Sequence, residues 1–215
     1  MAGSGHFSKS SKNDRIERRG GRAGLGKVRL MTQTSTLQTD PSTRTSSLGA
    51  GTTPAVGRRA DQLADRLEQG AQALAAFAAS LTDAQWKTRC LPDGRTVGVI
   101  VHHVAFVYPI EIQIAQTIAS GKPLTGLTMD DVHALNAKHA IDMAAVTKEE
   151  AIQALRTNSA AAADAIRAIS DEQLALAAPA SLYSDAPVTC QFVLEDHAVR
   201  HSYHHLARLK RAVQG

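Results

Sequence analysis

The stretch CQFVLEDHAVRHSYHHLARLKR, Cys190 to Arg211, decides the fold, because it sets four histidines on a helical repeat. His197, His201, His204 and His205 fall on one side of a helix of about 3.6 residues per turn, and the pairs His197/His201 and His201/His205 are each one turn apart. The chain has nine histidines, and four of them lie in this segment. Neutral imidazole is the commonest side-chain ligand for metal ions, so such a face reads as half of a metal site. The rest of the chain then reads as scaffold and as the source of the remaining ligands.

Working outward, the 215 residues are 43% hydrophobic but only 4% aromatic, with alanine abundant. That balance favours closely packed helices over sheets, which draw on β-branched and aromatic residues. No run of about 18 apolar residues suggests a bilayer span. Two cysteines, Cys90 and Cys190, make no disulfide framework and point to a reducing, cytoplasmic setting.

The net charge of +4 is unevenly divided. Residues 1–57 carry nine Lys/Arg against three Asp/Glu, whereas residues 58–215 carry fifteen against seventeen. The part expected to fold is mildly acidic, so neither nucleic acid nor a membrane is an expected partner for it. Residues 1–57, rich in Gly, Ser, Thr and Arg and without apolar periodicity, read as a disordered basic tail. Its run from Arg15 to Arg29 has the charge to bind polyanions, but a solvated tail is the simpler reading. It lacks the apolar core of a secretory signal, and Asp14 and Glu17 argue against a transit peptide. Met31 offers an alternative start, with residues 1–30 as an upstream extension.

The domain of residues 58–215 divides into four long helical segments. Leu63, Leu67, Leu74, Phe77 and Leu81 predict the first, from Arg58 to Leu81. A short segment with Trp86 and a turn at Pro92-Asp93-Gly94 follow. Thr96 is a suitable N-cap for the second helix, which runs through Val97, Ile100, Val101 and Val104 to Ile118 and stops by Gly121. Pro109 should kink it or locally break its hydrogen-bond ladder. Of His102 and His103 only one can face the core, since neighbours point about 100° apart. A shorter helical piece spans Asp130 to Val146, with His133, Asn136 and His139. The capping box Thr147-Lys148-Glu149-Glu150 opens the third long helix, to about Ile169. Residues 171–189 read as a loop, after which the histidine helix begins at Thr189 or Cys190. The expected fold is an all-α four-helix bundle. Its last helix would supply His201 and His205, and the second helix is the best source of a third ligand.

Three segments, TVGVIVHHVA (Thr96 to Ala105), NAKHA (Asn136 to Ala140) and HSYHHLARL (His201 to Leu209), together resemble the DinB superfamily. That group includes bacillithiol and mycothiol S-transferases and a mycothiol-dependent maleylpyruvate isomerase. The resemblance covers about residues 58–213. It implies a four-helix bundle with a divalent metal held by one histidine of the second helix and two of the fourth. Matched position by position, it puts the ligands at His103, His201 and His205 and leaves His102, His197 and His204 as neighbours. It departs from the family pattern at Arg95, where Trp is common, at Ser202, where an acid is common, and at Leu206-Ala207-Arg208.

Three imidazoles with open positions suit Zn²⁺ or Ni²⁺. The expected function is a metal-dependent transferase or isomerase that uses a low-molecular-weight thiol as cosubstrate on a small electrophile. The alternatives are a metal-dependent hydrolase, a non-catalytic, stress-associated metal-binding bundle, and a basic-tail anchor delivering the bundle to nucleic acid or membrane. His197, His204 and Asn136 are expected beside the ligands. Arg208, within about 20° of the His201 direction, reads either as a site for an anionic substrate group or as a helix-end cation favoured by the dipole. Both cysteines read as packing residues. A homodimer is compatible with an up-down bundle.

Overall fold

The computed structural model describes residues 58–214. The tail of residues 1–57, with the disorder and the polyanion binding expected of it, lies outside the described residues. In chain order the elements are α1 (Arg58–Ser80), α2 (Asp83–Trp86), α3 (Val97–Ala119), α4 (Met129–Asp142), α5 (Lys148–Arg167) and α6 (Asp171–Ala175). A two-stranded antiparallel ribbon, β1 (Ala177–Ala180) and β2 (Ala186–Thr189), comes next. The last long helix follows as α7 (Cys190–Leu194), a π-helical turn (Glu195–Val199) and α8 (Arg200–Gln214). The bundle is α1, α3, α5 and α7–α8, with α5 packed on α1 and α3, and α8 packed on α1 and α3.

Side-chain caps set where these helices start. Thr82, Thr128, Thr147 and Ser170 each form a capping box with the residue three positions on, and Thr96 and Thr189 cap α3 and α7. Each cap supplies an acceptor to a backbone N–H that the helix itself leaves unpaired. The leucines of α1 (Leu63, Leu67, Leu74) close on Leu155 and Ile166 of α5, all nearly fully buried. Alanines at 64, 71, 75, 78, 162 and 163 let the backbones approach. Glycine is needed at two contacts. A Cβ on Gly98 would lie 2.6 Å from the Trp86 ring, and one on Gly70 would lie 2.8 Å from Tyr203.

α3 is the central element. By length and composition it could cross a membrane, contrary to the expectation that no such run exists, but most of it is buried inside the bundle. Several of its buried polar groups are met by other helices. Pro109 sits inside α3, yet α3 continues through it rather than ending. Proline has no N–H to offer the carbonyl of Ala105, four residues back. Asn158 of α5 donates its side-chain amide to that carbonyl at 2.9 Å. The Tyr108 hydroxyl, fully buried, is hydrogen-bonded to Ser202 of α8.

The loop expected over residues 171–189 is instead the short helix α6 and the β ribbon. Pro179 and Pro187 face each other across the ribbon, where a two-stranded sheet has only edges and tolerates missing N–H groups. The α3–α4 connection adds hydrogen bonds from Leu124 N to Pro179 O and from Ser181 N to Leu124 O, each 2.9 Å. The ribbon turns at Ser184 and Asp185, which have φ of 56° and 59°.

The Pro109–Asn158 pairing is testable by a double-mutant cycle. Asn158→Leu strands a buried carbonyl and should cost about 1–3 kcal/mol in chemical denaturation. In a Pro109→Ala background, where the helix supplies its own N–H, the same change should cost clearly less.

Candidate metal centre

α3 and α8 carry the site. His103 lies two turns into α3, and His201 and His205 are one turn apart at the start of α8. One ligand atom from each of the three lies within 4.8 Å of the others. The ring centroids are 5.2 Å apart for His103/His201, 5.4 Å for His103/His205 and 4.8 Å for His201/His205. His103 and His205 are 4% and 6% exposed, and His201 is half-buried.

Glu111, which reading the sequence did not single out, fixes how His201 is presented. It is the sole charged residue of α3 and is only 6% exposed. Its Oε1 lies 2.7 Å from His201 Nδ1. A carboxylate only accepts, so Nδ1 carries a proton and Nε2 is the nitrogen turned toward His103. The two Nε2 atoms are 3.2 Å apart. Ligand nitrogens about 2.0–2.1 Å from a tetrahedral zinc lie about 3.3–3.4 Å from one another. Burial, followed by the charge of His201, holds the His103 and His205 imidazoles well below their usual range, in the neutral form that ligates. His205 makes no side-chain hydrogen bond among the described residues, and its buried Nδ1, like that of His103, has no partner. A convergent set of imidazole donors of this kind fits a divalent cation.

The other residues marked in the sequence fall around this centre. His197 bonds through Nε2 to the Tyr183 hydroxyl at 2.7 Å, and its Nδ1 is 4.0 Å from Glu111. Tyr183, in the ribbon's connecting turn, also donates to Asp196. His204 is exposed and lies edge-on against His205 at 5.1 Å. His102 Nδ1 is 2.8 Å from Nε2 of buried His139, whose ring also lies edge-on to His103. Asn136 is half-buried on α4 and makes no side-chain hydrogen bond among the described residues, and His133 is exposed. Arg208 is engaged away from the triad. Its guanidinium holds Asp93 in the turn after α2, at 2.9 and 3.0 Å, and the Leu91 carbonyl at 3.1 Å. Cys90 and Cys190 are unpaired and fully buried, and burial raises both thiols, that of Cys190 to about 11.

A four-helix bundle with three imidazoles gathered between its second and fourth long helices defines a class of histidine-centred bundle proteins. The chain belongs to one such group, the DinB superfamily, which its residues 66–209 match. Among solved structures it is similar to YfiT from Bacillus subtilis, with a TM-score of 0.59 and 18% identity over 80% of this chain and 92% of that one. YfiT is described as "a probable metal-dependent hydrolase with an unusual four-helix bundle topology". No curated protein matches the chain.

Removing the carboxylate that holds His201, as Glu111→Ala, should weaken zinc affinity about 10- to 100-fold in competition with a chelating dye. Asp93 gives a pH test. Hydrogen bonds from Arg208 and Arg95 overcome its desolvation and hold its carboxyl below the usual range. Its contribution is therefore present above the unfolded value of about 4 and is lost as pH falls through the lower, folded value. Wild type should exceed Asp93→Asn by about 0.5–1 kcal/mol at neutral pH, after screening at a partly exposed site, and the gap should close in acid.

Proposed function

We propose that the chain is a metal-dependent enzyme in which a divalent cation, Zn²⁺ or Ni²⁺, held by His103, His201 and His205, activates a low-molecular-weight thiol toward a small electrophile. The observation that carries this reading is the meeting of three imidazoles within 4.8 Å, with no fourth ligand in the group among the described residues. A bound cation would supply Lewis acidity, lowering the pKa of a thiol or water that joins the three imidazoles. The chain's own part is to hold the donors ready. Glu111 keeps the His201 proton at Nδ1, and burial keeps His103 and His205 neutral.

The nucleophile comes from outside the chain. Both cysteines are fully buried with raised pKa values, so neither offers an accessible thiolate. His197, the further histidine one turn before His201, is tied to Tyr183 and stands beside Glu111. This favours an open, reactive site over a purely structural one. Two unpaired thiols suit a reducing, cytoplasmic setting. A second reading, hydrolysis by metal-activated water, draws support from the activity ascribed to YfiT.

Bound metal in tag-free protein tests both readings. About one equivalent of zinc or nickel is expected in wild type, lost in His103→Ala and His205→Ala, with folding checked by circular dichroism. Conjugation of a small thiol to a chromogenic aryl halide would then support transfer, and turnover of an activated ester alone would support hydrolysis. A folded wild type that takes up neither metal would sink the proposal.

A further inference from the structure

The last helix reaches the triad through its π-helical turn, Glu195–Val199, and a side chain of the ribbon holds that turn. π turns are rare, and most are single turns at functional sites. This one leads directly into Arg200 and His201. The Tyr183 hydroxyl bonds two of its residues, Asp196 at 2.9 Å and His197 at 2.7 Å. It donates to the Asp196 carboxylate, so the hydrogen of the second bond comes from His197 Nε2. Burial, followed by Asp196, raises the phenol above its usual range and keeps it a donor. The Tyr183 ring also lies edge-on to Phe192 of α7 at 5.5 Å.

The turn has other partners, but they are weaker. Arg66 of α1 pairs with Glu195 at 3.2 Å and Arg200 with Asp196 at 3.4 Å, through side chains between 34% and 61% exposed. Ion pairs so open to water contribute little. The Tyr183 bonds are partly buried, and their base is fixed. Two residues before Tyr183, Ser181 donates its hydroxyl to Leu127 O at 2.7 Å and its N–H to Leu124 O at 2.9 Å. The clamp also borders the triad's own support. His197 Nδ1 stands 4.0 Å from Glu111, the carboxylate that holds His201.

We propose that Tyr183 is a positioning residue for the triad: its hydroxyl clamps Asp196 and His197, and the clamped turn sets where α8 delivers His201 and His205 against His103. The assignment rests on the metal-enzyme reading for the use of the site, while the clamp itself can be read in protein without metal. Tyr183 acts through the turn and not on the ion.

The test is titration of the full chain with Co²⁺, read by its visible absorption, together with amide hydrogen exchange of the metal-free protein. Tyr183→Phe removes only the hydroxyl. It should weaken Co²⁺ affinity about tenfold, change the absorption bands that report coordination geometry, and speed exchange across residues 195–205. Ser181→Ala loosens the ribbon from Leu127 but leaves the hydroxyl, and it should bind Co²⁺ as wild type does. Equal weakening in Ser181→Ala would trace the effect to the ribbon at large and overturn the assignment. Unchanged affinity in Tyr183→Phe would overturn it whatever the exchange shows. A wild type that binds no Co²⁺ would refute the metal reading. Exchange would then decide the clamp: faster across 195–205 in Tyr183→Phe keeps it, and unchanged overturns it.

Discussion

The burial of α3 is the constraint on which the rest of the structure depends. Most of this helix is enclosed, and three buried polar groups along it find partners on other helices in place of water. Asn158 on α5 meets the carbonyl freed by Pro109, Ser202 on α8 meets Tyr108, and His201 on α8 meets Glu111. These contacts fix both the depth and the rotation of α3 against α5 and α8. Apolar packing between alanine-rich surfaces would leave both loosely defined, since small side chains interlock weakly. The candidate metal centre is an extension of the same arrangement. Glu111 satisfies and orients an imidazole on α8, and His103 faces that imidazole across the gap between the helices.

The arrangement separates support from chemistry. Glu111, His197 and Tyr183 lie on one side of His201, linked to the β ribbon. His205, His204 and the Asp93–Arg208 pair lie further along α8. The triad sits between a carboxylate that fixes a ring and a turn rich in guanidinium groups. Two kinds of electrostatic demand therefore meet at one place. Burial keeps the His103 and His205 imidazoles neutral, and the guanidinium of Arg208 ties the turn to the last helix.

Much of the fold could be read from residues acting locally. Thr96, Thr147 and Thr189 are caps visible in the sequence, and the apolar spacing from Val97 to Ile118 outweighs the presence of Pro109. The pairing of His201 with His205 follows from helical geometry, because both lie on one helix. What escaped reading depends on contacts between distant residues. The ribbon is built from alanines and prolines without alternation, and it is held partly by Leu124, more than fifty residues upstream of its tip. Glu111 carried a signal, a single carboxylate in a helix otherwise free of charge, but nothing local indicates that its partner lies on α8. Arg208 lies in line with His201 on a helical wheel, yet it turns to a loop more than a hundred residues earlier.

The π-helical turn at Glu195–Val199 has a consequence for how such a site can change. A π turn accommodates one residue more than an α turn. Everything after it is therefore offset by about 100° from where an unbroken α-helix would place it. The last helix thus has two angular frames joined in mid-course. Cys190, Val193 and Leu194 pack in the first, while His201, His205 and Leu209 face inward in the second. Gain or loss of a single residue at this seam would re-aim every side chain downstream and leave the buried start of the helix as it was. The seam is a place where one codon, rather than several coordinated substitutions, can exchange the set of side chains that meets His103.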